Sequence, residues 1–327
     1  MERPARPDSA PAPGAGDLRE RFKGHREGDC AAARLDLSPE NRHPLGSMSL
    51  RVPLRLGGLV AVTVPLFLGW FLTRPLAWVA PRTDPALQRL WIGSWSKASL
   101  WLMGVRARFE GELPTGPYFM VANHLSYVDI PLLLSRLDAR FLAKSEIARW
   151  PVIGLLARST GTLFIDRSRK RDLNRVLPLV RSVLDRGTGV IVFPEGTSTA
   201  GAEVERFKPS LFEVPAATGA DVRSASIHYH APDGPQPAWK AVCWWGDAPF
   251  VPHFLDFLKQ PRTEATVIFS SRALVGGPGP ALDRKALARA AQDAVDDIFT
   301  PSKPPPTVPP SSEEPGGRSN PAPSTLR

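Results

Sequence analysis

Short apolar strands alternate with amphipathic helices over residues 105–300, and this alternation restricts the chain to one broad class of fold. Fully apolar runs or period-two runs predict strands, and apolar residues at every third or fourth position predict helices. The alternation predicts an α/β fold with a mixed, mostly parallel sheet flanked by helices. The predicted strands are Val105–Gly111, Tyr118–Asn123, Ala139–Lys144, Gly161–Asp166, Gly189–Phe193, Ser224–Tyr229, Trp239–Trp244 and Thr266–Phe269.

Three helices are predicted in the same region. One follows the second strand at Ile130–Leu137, and another spans Arg171–Arg186 with an apolar face and an internal Pro178. A last helix begins after the cap residue Asp283 and directs Leu287, Ala291, Ala294 and Ile298 inward. Ligands of such sheets gather beyond the carboxyl ends of the strands, so residues that follow strands are the first candidates for function.

An uncharged apolar stretch, Leu56–Thr73, precedes this region. Its length suits a helix that crosses a bilayer, and its internal Pro65 is tolerated in lipid. A buried core helix is the alternative. A second predicted helix places Trp91, Trp95 and Trp101 on one stripe, which suits either a water–lipid interface or packing on a core.

Composition divides the chain into four parts. Residues 1–47 are poor in large apolar groups and are expected to be disordered, and translation is hypothesised to begin at Met48. Residues 48–104 hold the two anchoring helices, the N-terminal membrane helix and the amphipathic helix. Residues 105–300 form the α/β domain. Residues 301–327 are a Pro-rich tail that is expected to be disordered.

The net charge of +9 favours anionic partners such as nucleic acid, an anionic membrane or phosphate-bearing substrates. No nucleic-acid-binding motif and no interleaved aromatic–basic pattern is present, so nucleic acid is not predicted as a partner. Cys30 and Cys243 have neither metal-binding spacing nor a disulfide pattern, which favours a reducing compartment.

The stretch "VANHLSYVDIP", Val121–Pro131, carries His124 and Asp129 directly after a strand. Five positions do not share a face of a regular helix, so His124 is expected on the loop that enters the helix. Ser126 and Asp129 could form a capping box, or Asp129 could itself cap. In either case the carboxylate can reach the imidazole, fix its tautomer and leave the other nitrogen as a general base.

Two alternatives to this dyad remain open on the sequence alone. The stretch could be a structural capping box beside an ordinary loop histidine. Ser126 could complete a Ser–His–Asp triad, although no Gly-x-Ser-x-Gly elbow occurs in the chain. A metal site is not predicted, because no third or fourth ligand lies at a recognisable spacing.

Two more strand ends carry candidate residues. "GTLFIDRSRKR", Gly161–Arg171, places Arg167 after a strand, where its guanidinium suits phosphate, whereas Arg169–Arg171 are expected to be a solvated helix start. "VFPEGTS", Val192–Ser198, places Glu195 and Gly196 in a turn where glycine permits close approach of a ligand.

"NHLSYVD", "GTLFIDR" and "FPEGTS", in this order and spacing, resemble successive motifs of the 1-acylglycerol-3-phosphate acyltransferase family, and the resemblance covers about residues 105–299. It implies transfer of an acyl group from acyl-CoA or acyl-carrier protein to the hydroxyl of a lysophospholipid, most simply 1-acylglycerol-3-phosphate. By that resemblance His124 is the base and Asp129 its orienting partner. Gly161 and Arg167 would hold the acceptor's phosphate, and Glu195 and Gly196 its glycerol.

The resemblance also implies a membrane enzyme whose active domain lies on the cytoplasmic face of the inner membrane. A thioester donor is already activated, so neither a cofactor nor a metal is expected. A passive lipid-binding module is the competing class, but it would leave His124 and Asp129 without a role.

Two positions depart from the family pattern. Ser198 stands where the third motif often has Arg, and Ser224 stands where the fourth motif usually has Pro. A subgroup that acylates lyso-ornithine lipid is similar in this region, including "WWGD", Trp244–Asp247. Lyso-ornithine lipid is therefore the alternative acceptor.

Overall fold

The computed structural model describes residues 50–73, 84–166, 169–274 and 283–304. Its helices of regular α type are α1 Arg51–Thr73, α2 Asp84–Leu102, α3 Asp129–Leu134, α4 Ile153–Ser159, α5 Lys170–Leu184, α6 Glu213–Thr218, α7 Ala238–Ala241, α8 Phe250–Phe257 and α9 Arg284–Asp296. Its strands are β1 Val105–Glu110, β2 Phe119–Ala122, β3 Ala139–Lys144, β4 Leu163–Ile165, β5 Gly189–Val192, β6 Val222–His230 and β7 Thr263–Phe269. Short 3₁₀ helices occur at Ser145–Arg149 and Pro209–Phe212.

The strands form one sheet in the order β1-β7-β6-β2-β5-β3-β4. Every neighbouring pair is parallel except β6 and β7, which are antiparallel. The predicted fold class, a mixed and mostly parallel sheet flanked by helices, is therefore confirmed. β2 lies between β5 and β6, so the residues that follow β2 and β5 meet at one edge of the sheet.

Each face of the sheet is covered by a separate apolar core. Successive residues of β2 alternate between them: Met120 and Ala122 belong to one core, and Phe119 and Val121 to the other. Helix α5 packs its predicted face on the second core through Val176, Val180 and Leu184. Asp283 caps α9 as predicted, because its carboxylate accepts the N–H groups of Lys285 and Ala286.

Helix α1 is the one described helix that is long and apolar enough to cross a membrane, and none of its residues is buried. It begins at Arg51, earlier than the predicted apolar stretch. Arg55 ties it to the domain by donating to the carbonyls of Leu258 and Gln260, just beyond the end of α8. Trp95 of α2 donates to Thr63 of α1, whereas Trp101 on the predicted stripe is largely exposed.

One predicted strand is wrong and another is shorter than predicted. Residues 239–244 form the end of α7 and an irregular segment, because Pro237 sets an extended N-cap and its carbonyl accepts the N–H groups of Lys240 and Ala241. The strand predicted at Gly161–Asp166 is limited to Leu163–Ile165, since Gly161 has a φ of +75°. Helices α4, α6, α7 and α8 were not predicted.

The predicted disordered ends are only partly described. Residues 1–49 and 305–327 lie outside the described residues. Residues 301–304, assigned above to the tail, are described, and the N–H groups of Ser302 and Lys303 donate to the carbonyl of Gly201. The hydroxyl of Ser302 accepts from the N–H of Tyr229 on β6. The domain's contacts therefore continue past residue 300.

Candidate active site

The chain leaves the sheet at Asn123, directly after β2. The last backbone pair between β2 and β6 joins Ala122 to Ala225. Asn123 then continues the ladder with its buried side chain: Nδ2 donates to the carbonyl of Ile227 at 2.9 Å, and Oδ1 accepts from the N–H of Ile227 at 2.7 Å. This side chain takes the place of the backbone, so the backbone turns away and presents His124 at the edge of the sheet.

The predicted contact between His124 and Asp129 is present. His124 Nδ1 lies 2.7 Å from Asp129 Oδ2. The histidine side chain is 21 % exposed, while the carboxylate is fully buried. The imidazole stacks on Phe193, with ring centroids 4.1 Å apart and planes within 4°. One face of the ring and one nitrogen are thus fixed, and Nε2 is the nitrogen left for a substrate.

Four donors surround the Asp129 carboxylate. Oδ2 accepts from the backbone N–H groups of Leu125 (2.8 Å) and Ser126 (3.0 Å) as well as from His124. Oδ1 accepts from the hydroxyl of Tyr229 at 2.7 Å. Burial raises the pKa of Tyr229 well above its usual value, so its hydroxyl remains a donor. With Asp129 acting only as acceptor, Nδ1 carries the proton of neutral His124, and Nε2 presents its lone pair.

The structure resolves the capping alternatives. Helix α3 begins at Asp129 itself, after Val128, whose side chain makes no cap hydrogen bond. With Ser126 taken as the N-cap, one bond of a capping box is nevertheless present: Ser126 N–H donates to Asp129 Oδ2, whereas Ser126 Oγ accepts from Val128 N–H at 3.3 Å and not from Asp129 N–H. The same carboxylate therefore both stabilises the turn and orients the histidine.

A Ser–His–Asp triad is not formed. Ser126 is fully buried, and among the described residues its hydroxyl bonds to Val128 N–H and not to His124. Within residues 50–73, 84–166, 169–274 and 283–304, no group of three or more His, Cys, Asp or Glu side chains could hold a metal ion.

Glu195 and Gly196 follow β5, next to β2. Gly196 adopts a φ of +80°, which glycine accepts without strain. Glu195 is only 3 % exposed, and neither carboxyl oxygen has a hydrogen-bond partner in the described structure. Burial raises the pKa of Glu195 to about 9; nearby Asp129 adds to the rise, and the backbone N–H groups of His124 and Glu205 oppose it. Glu195 is therefore a neutral acid at pH 7.

The residues predicted to hold phosphate are not brought to the dyad. Gly161 precedes β4, three strands from β2, and packs beside Arg140, whose Cδ lies 2.7 Å from where a Cβ would be. It is near the amino end of its strand, whereas His124 follows the carboxyl end of β2. Arg167 lies outside the described residues. Arg169 and Arg171 are exposed at the start of α5, as predicted for a solvated helix start.

Two segments bond to the backbone of the loop that carries His124. The carbonyl of His124 accepts the N–H of Thr199 at 2.9 Å, and the carbonyl of Leu125 accepts the N–H of Trp244 at 2.8 Å. The hydroxyl of Ser198 donates to the carbonyl of Trp244. Ser198, at the position where the family motif often has Arg, therefore links its own loop to the "WWGD" segment, which is bonded to the loop of His124.

Comparison with known proteins identifies the family. The profile of the acyltransferase family matches residues 105–228. The chain is 34 % identical to the lyso-ornithine lipid O-acyltransferase of Pseudomonas aeruginosa over 247 residues, covering 74 % of this chain and 89 % of that protein. It is 32 % identical to the enzyme of the same name from Rhodobacter capsulatus, covering 80 % and 94 %. The chain belongs to the acyltransferase family.

Two further likenesses place this acyltransferase more broadly. The 1-acyl-sn-glycerol-3-phosphate acyltransferase of Neisseria gonorrhoeae is 35 % identical over 127 residues, covering 39 % of this chain and 49 % of that protein. The crystal structure of the 1-acyl-sn-glycerophosphate acyltransferase from Thermotoga maritima matches with a TM-score of 0.53 at 19 % identity, covering 76 % and 95 %. The match to the Thermotoga maritima structure supports the α/β fold described above for this acyltransferase.

Three side chains of the site in this acyltransferase were not found from its sequence. Phe193 stacks on His124, the Tyr229 hydroxyl donates to the second oxygen of Asp129, and the Trp244 N–H donates to the carbonyl of Leu125. Phe193 could have been found, because it is the last residue of a predicted strand and lies in the third motif. Tyr229 lies 100 positions from Asp129 and carries no local signal.

Proposed function

We propose that this O-acyltransferase moves a fatty acyl group from a thioester donor to the free hydroxyl of a lysolipid, with His124 as general base. The observation that carries the proposal is the 2.7 Å contact between His124 Nδ1 and a buried carboxylate, which leaves Nε2 on the partly exposed side of the ring. Asp129 orients the imidazole, and Tyr229 and two backbone N–H groups orient Asp129.

The reaction needs one proton to be moved twice. Nε2 accepts the hydroxyl proton while the lysolipid oxygen attacks the thioester carbonyl carbon. The carbon–sulfur bond then breaks, and the departing sulfur takes the proton from the imidazolium. The buried Asp129 stabilises that imidazolium. General-base help of this kind contributes roughly 10²–10⁴-fold to the rate.

Lyso-ornithine lipid is the acceptor that we propose. Relatives with that name match over most of their own length, whereas the relative named for glycerol phosphate matches over about half. Ser198 occupies the position where the phosphate-specific motif often has Arg, and its hydroxyl holds Trp244. A zwitterionic head group requires fewer cations than a phosphate monoester with nearly two negative charges.

The deciding experiment is a direct competition. Purified enzyme in lipid vesicles receives one labelled acyl-CoA with lyso-ornithine lipid and 1-acylglycerol-3-phosphate at equal concentration. Label is expected mainly in the ornithine lipid, with one thiol released per acyl group transferred. His124→Ala is the matched control and is expected to lose at least about 10²-fold in rate while remaining folded. Undiminished transfer by His124→Ala would overturn the proposed mechanism.

1-Acylglycerol-3-phosphate is the second candidate, and the net charge of +9 favours it. Arg167 and the exposed Lys208 would then supply the cations. If the missing arginine limits this activity, Ser198→Arg should raise it at least about tenfold, since a hydrogen bond to a charged group contributes roughly 1.5–3 kcal/mol. Ser198→Ala is the control, because it removes the bond to Trp244 without adding charge.

The acyl donor and the cellular location of the enzyme are also proposed here. Acyl-CoA and acyl-carrier protein are both compatible with a mechanism that needs only a thioester, and parallel assays with each donor separate them. We place the enzyme in the cytoplasmic membrane with its active domain on the cytoplasmic face, supported by the apolar helix α1. Deletion of Leu56–Thr73 should release the protein from membranes or make it aggregate.

A further inference from the structure

Residues 149–158, here named the 149–158 segment, expose apolar side chains beside the site. Val152 is 70 % exposed, Leu155 63 % and Trp150 39 %. All three come between the 3₁₀ helix and the second turn of α4, so they project from one short stretch of chain. Isolated exposed apolar residues are common on protein surfaces, but several close together in one stretch indicate a binding surface.

The backbone of this segment has an unusual conformation at Val152, whose side chain is exposed. Its φ of +61° and ψ of −61°, with Ile153 N–H donating to the carbonyl of Pro151 at 2.6 Å, define a γ-turn of the rare, strained kind. Val152 is the one described residue other than glycine with positive φ. Such strain costs about 1–3 kcal/mol and persists only where the surroundings hold it. Gly154 N–H donates to the carbonyl of Trp150 at 2.9 Å across the turn, and the lack of a side chain at 154 is required there, because a Cβ would meet the carbonyl oxygen of Ala148 at 2.5 Å.

The charged residues within the segment are both basic. Residues 147–165 contain Arg149 and Arg158 and no acidic residue. Both arginines are exposed, and Arg158 is fixed beside the base of the turn by a 2.6 Å hydrogen bond to the carbonyl of Ala148. An apolar tip with cations on both flanks matches an interface whose interior is apolar and whose surface carries phosphate.

The 149–158 segment lies between the His124–Asp129 pair and helix α1. The ring of Trp150 contacts that of Trp244 at 6.0 Å, and Trp244 is bonded to the carbonyl next to His124. At the other end of α4, Ser159 and Thr160 line a cleft together with residues of both anchoring helices. These residues are Leu66, Phe67 and Trp70 of α1, and Trp91, Ile92 and Trp95 of α2.

From this arrangement we infer that the 149–158 segment inserts shallowly into a bilayer that carries anionic head groups, bringing the mouth of the active site to the lipid surface. The partner is a lipid surface rather than a protein, because the cationic flanks and the continuity with α1 both match a bilayer. The inference rests on the proposed function in so far as the substrate is a lipid. Interfacial segments of this kind bury an apolar face about 5–10 Å into the head-group region of the bilayer.

A local probe tests the insertion without requiring catalysis. A single cysteine is placed at Val152 in a Cys30→Ser, Cys243→Ala background and labelled with an environment-sensitive fluorophore. Leu179→Cys on α5 is the matched control, since Leu179 is also an exposed aliphatic residue at 44 %. Both proteins keep α1, so both bind vesicles equally through it.

The expected result is a blue-shifted fluorophore at position 152 that is quenched by shallow spin-labelled lipids, and an unshifted one at 179. The shift should be larger in vesicles of phosphatidylcholine with phosphatidylglycerol than in phosphatidylcholine alone. A fluorophore at 152 that stays as water-exposed as the one at 179, or equal shifts at both positions, would overturn the inference. Because the readout is fluorescence, insertion without acyl transfer would instead count against the proposed function.

Val152→Gly provides a second test that does not depend on a labelled cysteine. Glycine adopts positive φ freely, so this variant should melt at a higher temperature than the wild type. It also removes the projecting side chain, so KM for a long-chain lysolipid in vesicles should rise several-fold while kcat is unchanged. A higher melting temperature with an unchanged KM in vesicles would show that the turn has no role at the membrane.

Discussion

Two buried carboxyl groups at the ends of neighbouring strands have opposite environments. Asp129, beyond β2, accepts hydrogen bonds from His124, Tyr229 and two backbone N–H groups. Glu195, beyond β5, is almost as deeply buried but has no hydrogen-bond partner among the described residues, and its pKa is raised to about 9. Burial alone therefore does not decide what a carboxyl group does in this site.

The two carboxyl groups differ because hydrogen-bond donors are directed at Asp129 and not at Glu195. The turn after Asn123 directs two N–H groups at Asp129, and β6 adds the hydroxyl of Tyr229. The backbone N–H groups of His124 and Glu205 lie near enough to Glu195 to favour its charged form, but neither carboxyl oxygen has a hydrogen-bond partner among the described residues. A satisfied carboxylate can serve a positively charged imidazolium, while an unsatisfied one takes up a proton. The three predictions below test this comparison with substitutions of matched shape.

Asp129→Asn is expected to have the largest effect, a loss of about 10²-fold or more in kcat. The two backbone N–H groups favour the amide oxygen at the Oδ2 position, so the tautomer of His124 should be kept. What is lost is the negative charge that stabilises the imidazolium formed during attack. The check is kcat and KM on vesicle substrate, together with a melting curve to show that the variant folds.

Wild-type turnover in a folded Asp129→Asn protein would mean that the carboxylate only stabilises the turn. Its contacts in the turn would then be sufficient to explain the aspartate of the motif, and His124 would act as base without help from its charge.

Tyr229→Phe is expected to have an intermediate effect. It removes the donor to Asp129 Oδ1, so kcat should fall several-fold with little change in KM, and the protein should lose about 1.5–3 kcal/mol of stability. Tyr118→Phe is the matched control, because Tyr118 is also buried but its hydroxyl has no partner in the described structure. Equal effects of the two substitutions on kcat would remove Tyr229 from the positioning of the dyad.

Glu195→Gln is expected to have the smallest effect on turnover, because the amide resembles the neutral acid already present. Its effect should instead appear in the pH dependence of stability. The folded pKa of about 9 lies above the ordinary value of 4.5, so between these values the native protein holds a proton that the unfolded chain releases. Wild-type stability therefore falls as pH rises through this window, by at most about 1.4 kcal/mol per pH unit.

The Gln variant lacks this proton. Its unfolding free energy relative to wild type should rise steadily from about pH 5 to pH 9, as measured by urea titrations across that range. Parallel profiles for the two proteins would show that Glu195 is ionised in the fold and that the contrast with Asp129 is wrong.

The sequence by itself determined what depends on near neighbours. The period of the apolar residues defined six of the eight predicted strands well, and the spacing of His124 and Asp129 brought them together, because a turn of five residues has little freedom. The sheet class followed from alternation along the chain. The family resemblance was carried by three short motifs, each contiguous in sequence.

The tertiary structure decided what depends on distant partners. Tyr229 reaches Asp129 across 100 positions, and Ser198 reaches Trp244 across 46, because β6 and the loop after α7 are placed by the packing of the sheet. The same packing separates Gly161 from the dyad, since residues at opposite ends of parallel strands do not meet. Trp239–Trp244 is apolar enough for a strand, but Pro237 and the bonds to Leu125 and Ser198 hold it outside the sheet. Local pattern specifies each element, and only the order of strands in the sheet specifies which elements share an edge.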